Sequence, residues 1–260
     1  MGRVVLKTDT ELETMNEANA IVHRVLDGVA ARIAPGVSTA ELDEWAEAEI
    51  RALGAAPSFL GYHGFPATLC VAVNDVVVHG IPNDRPLEDG DIVSVDCGVC
   101  WRGFHGDAAR TFPVGRVSPE AARLVRVAEE ALERAVAVCL PGNRLGDIGA
   151  AIEQWVTAHG YAIIEGFTGH GIGRRLHEAP NVPNRGRAGR GLRLRPGVVL
   201  AIEPMIAAGR GTVRDMKDGW TTRTKDGSLA AHAEVSVAIT DAGPWVLGVE
   251  RQPYEHRKAS

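Results

Sequence analysis

The sequence feature that most constrains the fold is a unit that occurs twice, in which two helical segments are joined by a Pro-Gly pair. Pro35-Gly36 marks the first unit and Pro141-Gly142 marks the second, and apolar, β-favouring segments follow each of them. Self-similarity on this scale predicts two related halves, each a helix pair followed by strands. We place these halves at about residues 1–115 and 116–250 of a single domain that spans residues 1–260.

Apolar residues at helical spacing predict four helices, two in each half. We expect Asp9 or Thr10 to cap the first helix. Ser118 followed by Pro119 is a favourable start for the third helix, because proline is tolerated at the first helical position. The predicted helices cover residues 9–34, about 38–53, 118–139 and about 145–158.

Residues 91–112 predict a β-hairpin that carries two acidic residues. The segment before Asp96 is apolar and β-favouring, a turn is predicted at residues 101–104, and Asp107 leads into a second apolar run. Neighbouring strands of one hairpin can turn both carboxylates towards one cavity, where burial is costly unless a partner or a metal ion compensates. Each acid taken alone is more simply explained as an ordinary strand-end or turn aspartate.

The second half supplies two more acids and a histidine at comparable positions. Glu203 ends the apolar segment that begins at Val198, and Glu234 lies in another β-favouring run. His170 stands between two glycines, which allow the backbone to approach a site closely. His79 follows the apolar run at residues 76–78, where a single histidine is more often structural than functional.

Together these residues offer four carboxylates and one imidazole to a common site. Four negative charges in one cavity would repel one another unless cations compensate them, and two divalent ions carry four positive charges. A donor set dominated by carboxylates, with a single histidine, favours Mn, Fe(II) or Co over a thiolate-type zinc site. Two such ions can activate water and hold a substrate oxygen, which suits hydrolysis of an amide or an ester.

Composition excludes several other classes of protein. A formal net charge of -5 argues against a dedicated DNA-binding protein, and neither a signal-peptide pattern nor an apolar run long enough to cross a membrane is present. Four cysteines without framework spacing suit the reducing cytoplasm. Cys97 and Cys100 form a CxxC pair, but no second pair completes a zinc site, and we expect these residues to be core thiols.

The order of short motifs along the chain resembles that of the type I methionine aminopeptidases, within the larger group of pita-bread peptidases. Each motif alone is weak, whereas the ordered set is specific and spans about residues 8–243. The matching stretches are Tyr62-His-Gly-Phe-Pro, His79-Gly-Ile-Pro, Asp96 to Asp107, Gly169-His-Gly-Ile-Gly, His177-Glu-Ala-Pro, Ile202-Glu-Pro-Met-Ile, Asp218-Gly-Trp-Thr and Asp226-Gly-Ser-Leu.

The resemblance implies a fold and an assignment of catalytic roles. The implied fold is of the α/β class (α+β type), with a pseudo-twofold, curved antiparallel sheet flanked by two helix pairs. Two divalent ions (Co, Mn, Fe(II) or Zn) would be held by Asp96, Asp107, His170, Glu203 and Glu234, with Asp107 and Glu234 bridging them. Glu203 would also act as general base. His79 would contact the peptide nitrogen of the substrate and His177 its scissile carbonyl.

The resemblance also implies an apolar pocket for the methionine side chain, while some positions depart from the family pattern. The implied pocket residues, each of which is also a plausible core residue, are Phe59, Tyr62, Phe65, Cys70, Leu176 and Trp220. Thr168 stands where a cysteine is common, His232 where glutamine is common, Val235 where histidine is common, and Leu176 where phenylalanine is more frequent. These changes bear on metal preference, rate and substrate tolerance rather than on the presence of the ligands.

The expected function is removal of the initiator methionine from nascent polypeptides whose second residue is small. We expect a cytoplasmic monomer without a DNA or membrane partner. The arginines of residues 174–195 are more simply explained as a solvated loop, and contact with the ribosome is the functional alternative. A proline-directed aminopeptidase and a degenerate binding protein are the rival interpretations. The short interval between His170 and Glu203 favours type I, because type II enzymes carry a helical insertion there.

Overall fold

Within residues 3–250, which the computed structural model describes, the chain forms four α-helices and fifteen strands. The helices are α1 (Asp9–Ala30), α2 (Thr39–Ala52), α3 (Pro119–Ala137) and α4 (Leu145–Ala158). The strands of the first half are β1 (Ala56–Pro57), β2 (Leu69–Val73), β3 (Val76–Val78), β4 (Ile92–Trp101) and β5 (Phe104–Pro113). Those that follow α4 are β6 (Ala162–Ile163), β7 (Thr168–Gly171), β8 (Glu178–Pro183), β9 (Val199–Ile202), β10 (Met205–Ala207), β11 (Val213–Asp215), β12 (Thr222–Thr224), β13 (Ala230–His232), β14 (Glu234–Thr240) and β15 (Gly243–Val246).

The helix starts follow capping rules, with one correction to the sequence prediction. Thr8, rather than Asp9 or Thr10, caps α1: its hydroxyl accepts from the Glu11 backbone N–H, and the Glu11 carboxylate accepts from the Thr8 N–H. Reciprocal bonding of this kind satisfies two backbone donors at once, which a cap at Asp9 would not do here. Ser118 caps α3 as predicted.

The predicted first helix is also four residues too long. It ends at Ala30, and Pro35 disfavours helical backbone at Ala34, where the predicted helix would have ended. The chain then turns through Gly36, whose positive φ of 94° suits glycine.

The two helix pairs lie over separate parts of the hydrophobic core. The pair α1 and α2 packs its apolar side chains, such as Leu26 and Ile50, against β2, β4 and β5. The pair α3 and α4 buries Leu124 and Ile152 together with residues of β9 and β14. Burial of such side chains stabilises the fold by roughly 1.5–3 kcal/mol each, so both pairs hold the sheet from outside.

The main sheet has nine strands and joins segments from both parts of the chain. Its order is β1-β4-β5-β14-β9-β7-β8, with β15 paired to β14 and β2 paired to β4. Every pairing in it is antiparallel. The long β4–β5 hairpin turns at Arg102 and Gly103, within the turn that the sequence predicts. Two three-stranded sheets, β13-β10-β6 and β11-β12-β3, complete the architecture.

The predicted fold class is confirmed: a curved antiparallel sheet carries two helix pairs on its outside. The boundary between the halves near residue 115 stays a prediction, as does the assignment of one domain. Residues 1–2 and 251–260 of that predicted domain lie outside the described residues. Among the described helices, none combines the length and the apolar character needed to cross a membrane.

The four cysteines are free thiols. Cys70, Cys97 and Cys139 are buried, and Cys100 is half-buried. Cys97 and Cys100 lie three positions apart on β4, so their side chains point to opposite faces of the strand. The geometry agrees with core thiols rather than with a redox pair.

Candidate active site

Strand pairing brings the predicted ligands to one face of the main sheet. Residues directly opposite each other on paired strands point to the same face, as do residues two apart on one strand. One row across the sheet consists of Asp96, Ala109, Glu234 and, by continuation of the β9–β14 register, Glu203. The adjacent row consists of Gly98, Asp107, Ser236, Ala201 and His170. The residues between the ligands are small, which leaves room above them.

A cavity of about 610 Å³ lies on this face and contains every residue that the sequence analysis proposed for the site. Its lining includes the five proposed ligands, His79 and His177, and the six proposed pocket residues. The cavity is large enough for a side chain and the adjoining peptide group.

The proposed ligand atoms lie within a few ångströms of one another. Asp107, His170 and Glu234 each offer a ligand atom, and these atoms all lie within 4.8 Å of one another. His170 Nε2 lies 3.7 Å from Asp107 Oδ2 and 3.7 Å from Glu203 Oε1. These separations exceed hydrogen-bond length but suit atoms that bind a common ion.

The four acids Asp96, Asp107, Glu203 and Glu234, here called the carboxylate cluster, are strongly perturbed by burial. Burial raises the pKa of Asp96 and of Glu203 to about 7. Burial, together with repulsion from neighbouring carboxylates, raises the pKa of Asp107 and Glu234 well above the usual range. Desolvation and like charges both disfavour ionised carboxylates, so the cluster needs positive charge to be ionised near pH 7.

Several buried polar atoms of the site have no hydrogen-bond partner within the described part of the chain. They include Asp96 Oδ1, Asp107 Oδ1 and Glu234 Oε1. Leaving such atoms unsatisfied is costly, and few native proteins tolerate many of them. Oxygen donors with free lone pairs, a neighbouring imidazole and an excess of negative charge fit divalent cations.

His170 is oriented so that one ring nitrogen is available as a ligand. Its Nδ1 lies 2.9 Å from the Gly171 carbonyl oxygen. A carbonyl oxygen only accepts hydrogen bonds, so Nδ1 carries the proton and Nε2 keeps its lone pair. Burial lowers the pKa of His170, which favours this neutral form.

The glycines on either side of His170 have a structural reason. A Cβ atom at Gly169 would collide with the Ala201 carbonyl oxygen on β9. One at Gly171 would collide with the Ala179 carbonyl oxygen on β8. Only glycine therefore lets β7 lie between these two strands with His170 facing the cavity.

Two further histidines face the cavity without belonging to the ligand rows. His79 has a positive φ of 57°, an uncommon backbone conformation for a residue with a side chain. His177 Nδ1 lies 2.7 Å from the Tyr62 hydroxyl, and its ring centroid lies 4.2 Å from that of His170. Partial burial lowers the pKa of His79 and of His177, so both rings are mainly neutral near pH 7.

Apolar side chains form the opposite wall of the cavity. Phe59, Phe65 and Leu176 are buried, and Phe65 contacts Trp220 edge-to-face with ring centroids 5.2 Å apart. Aromatic and aliphatic groups of this kind suit an unbranched apolar side chain, including a thioether. The cavity is therefore lined on one side by carboxyl groups and on another by apolar side chains.

The structure also adds residues that the sequence analysis did not assign to the site. Phe167 and His63 line the cavity, and the Phe167 ring centroid lies 5.9 Å from that of His79. His232, noted in the sequence only as a departure, is buried beside Glu203, and its Nε2 atom has no hydrogen-bond partner among the described residues. Val235, by contrast, packs against the core on the other face of β14. Phe167 had no signal except its position beside Gly166.

A buried ion pair flanks the cavity. Lys7 Nζ lies 2.6 Å from Glu178 Oε2, and both side chains are less than a tenth exposed. The Arg175 backbone N–H also donates to Glu178 Oε1. Burial raises the pKa of Glu178, but the hydrogen bonds from Lys7 and Arg175 outweigh it and lower the pKa below its usual value.

Comparison with known proteins finds similarity along nearly the whole chain. The profile of the family described as "Metallopeptidase family M24" matches residues 13–241. The methionine aminopeptidase of Clostridium perfringens is 49% identical over 94% of this chain and 98% of its own length. Methionine aminopeptidase 1 of Bacillus subtilis is 45% identical over 92% of this chain and 97% of its own length. The crystal structure of methionine aminopeptidase from Thermotoga maritima matches with a TM-score of 0.94 and 41% identity, covering 95% of this chain and all of that one.

Proposed function

The chain belongs to metallopeptidase family M24, and we propose that it is a methionine aminopeptidase that hydrolyses the peptide bond after an N-terminal methionine. The observation that most strongly supports this activity is a cavity in which candidate metal-binding groups and apolar side chains lie together. One half of such a cavity can bind a methionine side chain while the other half acts on the adjoining peptide group.

The residues that would hold divalent metal are Asp96, Asp107, His170, Glu203 and Glu234. We propose two ions, because four carboxylates and four positive charges balance; Co, Mn, Fe(II) and Zn are the candidates. When bound, such ions supply Lewis acidity towards the scissile carbonyl and lower the pKa of water. The unpartnered oxygens of Asp96, Asp107 and Glu234 support this ligand set.

Glu203 is the proposed proton acceptor. It lies at the end of β9, on the cavity side, with a pKa of about 7 that burial raises from its ordinary value. A carboxylate in this position can take a proton from the attacking water and return it to the leaving amine. The same side chain would thus serve as ligand and general base.

His79 and His177 are the proposed substrate-contacting histidines. His79 would contact the peptide nitrogen of the scissile bond, and His177 its carbonyl oxygen. If the Tyr62 hydroxyl donates to His177 Nδ1, the imidazole proton lies on Nε2, where it can stabilise the negative charge that develops on the carbonyl oxygen. A neutral imidazole is sufficient for this hydrogen bond.

The methionine side chain would occupy the apolar wall. The proposed contacts are Phe59, Tyr62, Phe65, Cys70, Leu176 and Trp220. A methionine has the length and flexibility to fill an irregular pocket, and its sulfur interacts favourably with aromatic ring edges. This pocket would therefore select methionine over short or charged side chains.

We propose nascent polypeptides with a small second residue as substrates, and the cytoplasm as the location. We also propose that the protein acts as a monomer. The arginines between residues 185 and 195 are exposed, which supports a contact with ribosomal RNA driven by phosphate charge. A salt-dependent association with purified ribosomes would test that contact directly.

The test of the proposed activity is hydrolysis of Met-Ala-Ser by protein stripped of metal and reconstituted with Mn, Fe(II), Co or Zn. We expect free methionine from the reconstituted protein and none from the stripped protein. Glu203→Ala should lower the rate by on the order of 10³-fold or more, since it removes both a ligand and the general base. Glu165→Ala, which alters an exposed acid outside the cavity, is the matched control.

The same assay, run also with Xaa-Pro peptides as substrates, separates the rival functions. Cleavage of Xaa-Pro peptides without release of methionine from Met-Ala-Ser would indicate a proline-directed enzyme. Metal binding without cleavage of either peptide would indicate a binding protein. The names of the relatives that match along nearly their whole length favour neither rival.

A further inference from the structure

His232 lies in the wall of the cavity beside the carboxylate cluster. It is the last residue of β13 and only 3% exposed. Met205 pairs with His232, and Ile202 pairs with Val235, so the same register holds before and after Glu234. His232 and Glu234 are two residues apart in the chain, and both line the cavity.

The Nε2 atom of His232 is buried and has no hydrogen-bond partner among residues 3–250. It lies 3.6 Å from Glu203 Oε2 and 3.9 Å from Glu234 Oε2, too far for a direct hydrogen bond. Two atoms that bind one ion at about 2.1 Å each lie no more than about 4.2 Å apart, so both separations suit a common ion. His232 Nε2 thus resembles Asp96 Oδ1, Asp107 Oδ1 and Glu234 Oε1, which also lack hydrogen-bond partners among the described residues.

His232 and His170 occupy comparable positions around Glu203. Each oxygen of Glu203 faces one imidazole nitrogen: Oε1 lies 3.7 Å from His170 Nε2, and Oε2 lies 3.6 Å from His232 Nε2. Each imidazole nitrogen also lies near a second carboxylate, which is Asp107 for His170 and Glu234 for His232. The metal-binding arrangement predicted around His170 is therefore matched on the other side of Glu203.

The backbone of His232 is held in place by a neighbouring strand. Its N–H donates to Thr111 Oγ1 at 3.0 Å, and the Thr111 hydroxyl donates to the His232 carbonyl at 2.8 Å. Ser94 Oγ lies 2.8 Å from the same Thr111 oxygen. This buried network fixes the backbone position from which the His232 side chain projects.

We propose that His232 Nε2 is a sixth protein donor to the metal centre, which would then have two imidazoles, one on each side of Glu203. The inference rests on the proposed function, because it requires that the carboxylate cluster binds divalent metal. It adds a ligand from a residue outside the five-residue set.

A second imidazole changes which ions the centre binds best. Carboxylates suit Mn, whereas imidazole favours Zn, Fe and Ni, and divalent-metal affinity generally rises from Mn to Co. Loss of His232 should therefore weaken binding of Co(II) and Zn(II) more than binding of Mn(II). This difference distinguishes a lost ligand from general damage to the site, which would weaken all three alike.

The experiment compares wild-type protein with His232→Gln, which keeps a polar side chain of similar reach but removes the imidazole. Titration calorimetry on metal-stripped protein gives Kd for Co(II), Zn(II) and Mn(II). X-ray absorption on the Co(II) form reports imidazole scattering per metal. His23→Gln is the matched control, because His23 is a buried histidine outside the cavity. Circular dichroism of the stripped proteins establishes that each variant is folded.

We expect the Kd of His232→Gln for Co(II) and Zn(II) to rise at least about tenfold, with a smaller rise for Mn(II). Imidazole scattering should fall by half, while His23→Gln leaves both readouts unchanged. Should His232→Gln not fold, His170→Gln gives the same answer: imidazole scattering persists if His232 binds and disappears if it does not.

Unchanged Kd and scattering in His232→Gln would overturn the proposal, even if the rate fell. That combination would instead make His232 a positioning residue for Glu203. Failure of the proposed function looks different, because wild-type protein would then bind no metal or would bind it without releasing methionine.

Discussion

Glu178 and Glu234 are both buried acids that line the same cavity, yet their pKa values are shifted in opposite directions. Glu178 accepts hydrogen bonds from Lys7 and from the Arg175 backbone, and its pKa is lowered. Glu234 Oε1 has no hydrogen-bond partner in the part of the chain that the structure describes, and burial with repulsion from neighbouring acids raises the pKa of Glu234. Among the described residues, Lys7 thus supplies a cation for Glu178, whereas Glu234 Oε1 has no such partner.

This difference separates a structural role from a metal-binding role. A buried ion pair with complete hydrogen bonding is self-sufficient, although replacing both partners by apolar groups can be equally stable. A cluster of unpaired carboxylates destabilises the metal-free fold and becomes favourable only when external cations bind. Local departures from ordinary stability rules are expected where a protein keeps a functional site.

Among single substitutions, the largest effect on stability is expected from breaking the Lys7–Glu178 pair. Lys7→Met leaves Glu178 buried and unpaired, and we expect the free energy of unfolding to fall by about 3–5 kcal/mol. Urea denaturation of the metal-free protein measures it. Adding Glu178→Gln should restore part of the loss, because the unpaired charge is then gone. A loss below about 1 kcal/mol would show that water, rather than Lys7, compensates Glu178.

The carboxylate cluster should give the metal-free protein an unusual dependence of stability on pH. The pKa values of Asp96 and Glu203 rise to about 7 on folding, so the folded state binds protons that the unfolded chain releases. The unfolding free energy should therefore fall as pH rises from about 4.5 to about 7, by on the order of 2–3 kcal/mol for each of these two groups. The lowered pKa of Glu178 acts in the opposite direction, since its contribution is lost as pH falls.

Urea denaturation at several pH values, with and without a saturating divalent ion, checks this dependence. Bound metal keeps the cluster ionised, so the decline between pH 4.5 and 7 should disappear in the loaded protein. Persistence of the decline after metal loading would locate its origin outside the cluster. Metal binding near pH 6 should also release protons, which calorimetry in buffers of different ionisation enthalpy detects.

Replacing one member of the carboxylate cluster should stabilise the metal-free protein. Asp107→Asn removes a carboxyl group that is costly to ionise in this buried cluster, and we expect a gain of about 1 kcal/mol, or roughly 2–4 °C in Tm, at pH 8. The added stability from metal should shrink at the same time. Glu178→Gln is the matched control and should lower Tm, because it leaves Lys7 without its partner. Equal losses in both variants would remove the distinction between the two kinds of carboxylate.

A part of the fold or of the site was predictable from the sequence where a short stretch of the chain carries its pattern. Strand alternation and short ordered motifs placed Asp96, Asp107 and Glu203 at strand positions, and the sheet register then brings them together. The Lys7–Glu178 pair has no local signal, because its partners are 171 residues apart. The sequence likewise marked His232 as a departure, whereas its position beside Glu203 depends on the pairing of β13 with β10.

The smallest expected effect comes from removing the Tyr62 hydroxyl, which is a hydrogen-bond partner of His177 inside the cavity. Tyr62→Phe removes the hydroxyl that lies 2.7 Å from His177 Nδ1 but keeps the aromatic ring. A neutral hydrogen bond contributes about 1 kcal/mol, so kcat should fall by up to about tenfold. Metal affinity should not change, because Tyr62 does not contact the carboxylate cluster. Steady-state kinetics on Met-Ala-Ser, with calorimetric metal binding, checks both points. A loss of metal affinity would mean that Tyr62 supports the metal centre through His177 and His170, whose ring centroids lie 4.2 Å apart. The cavity would then not divide into side chains that are paired within the protein and side chains that need an external cation.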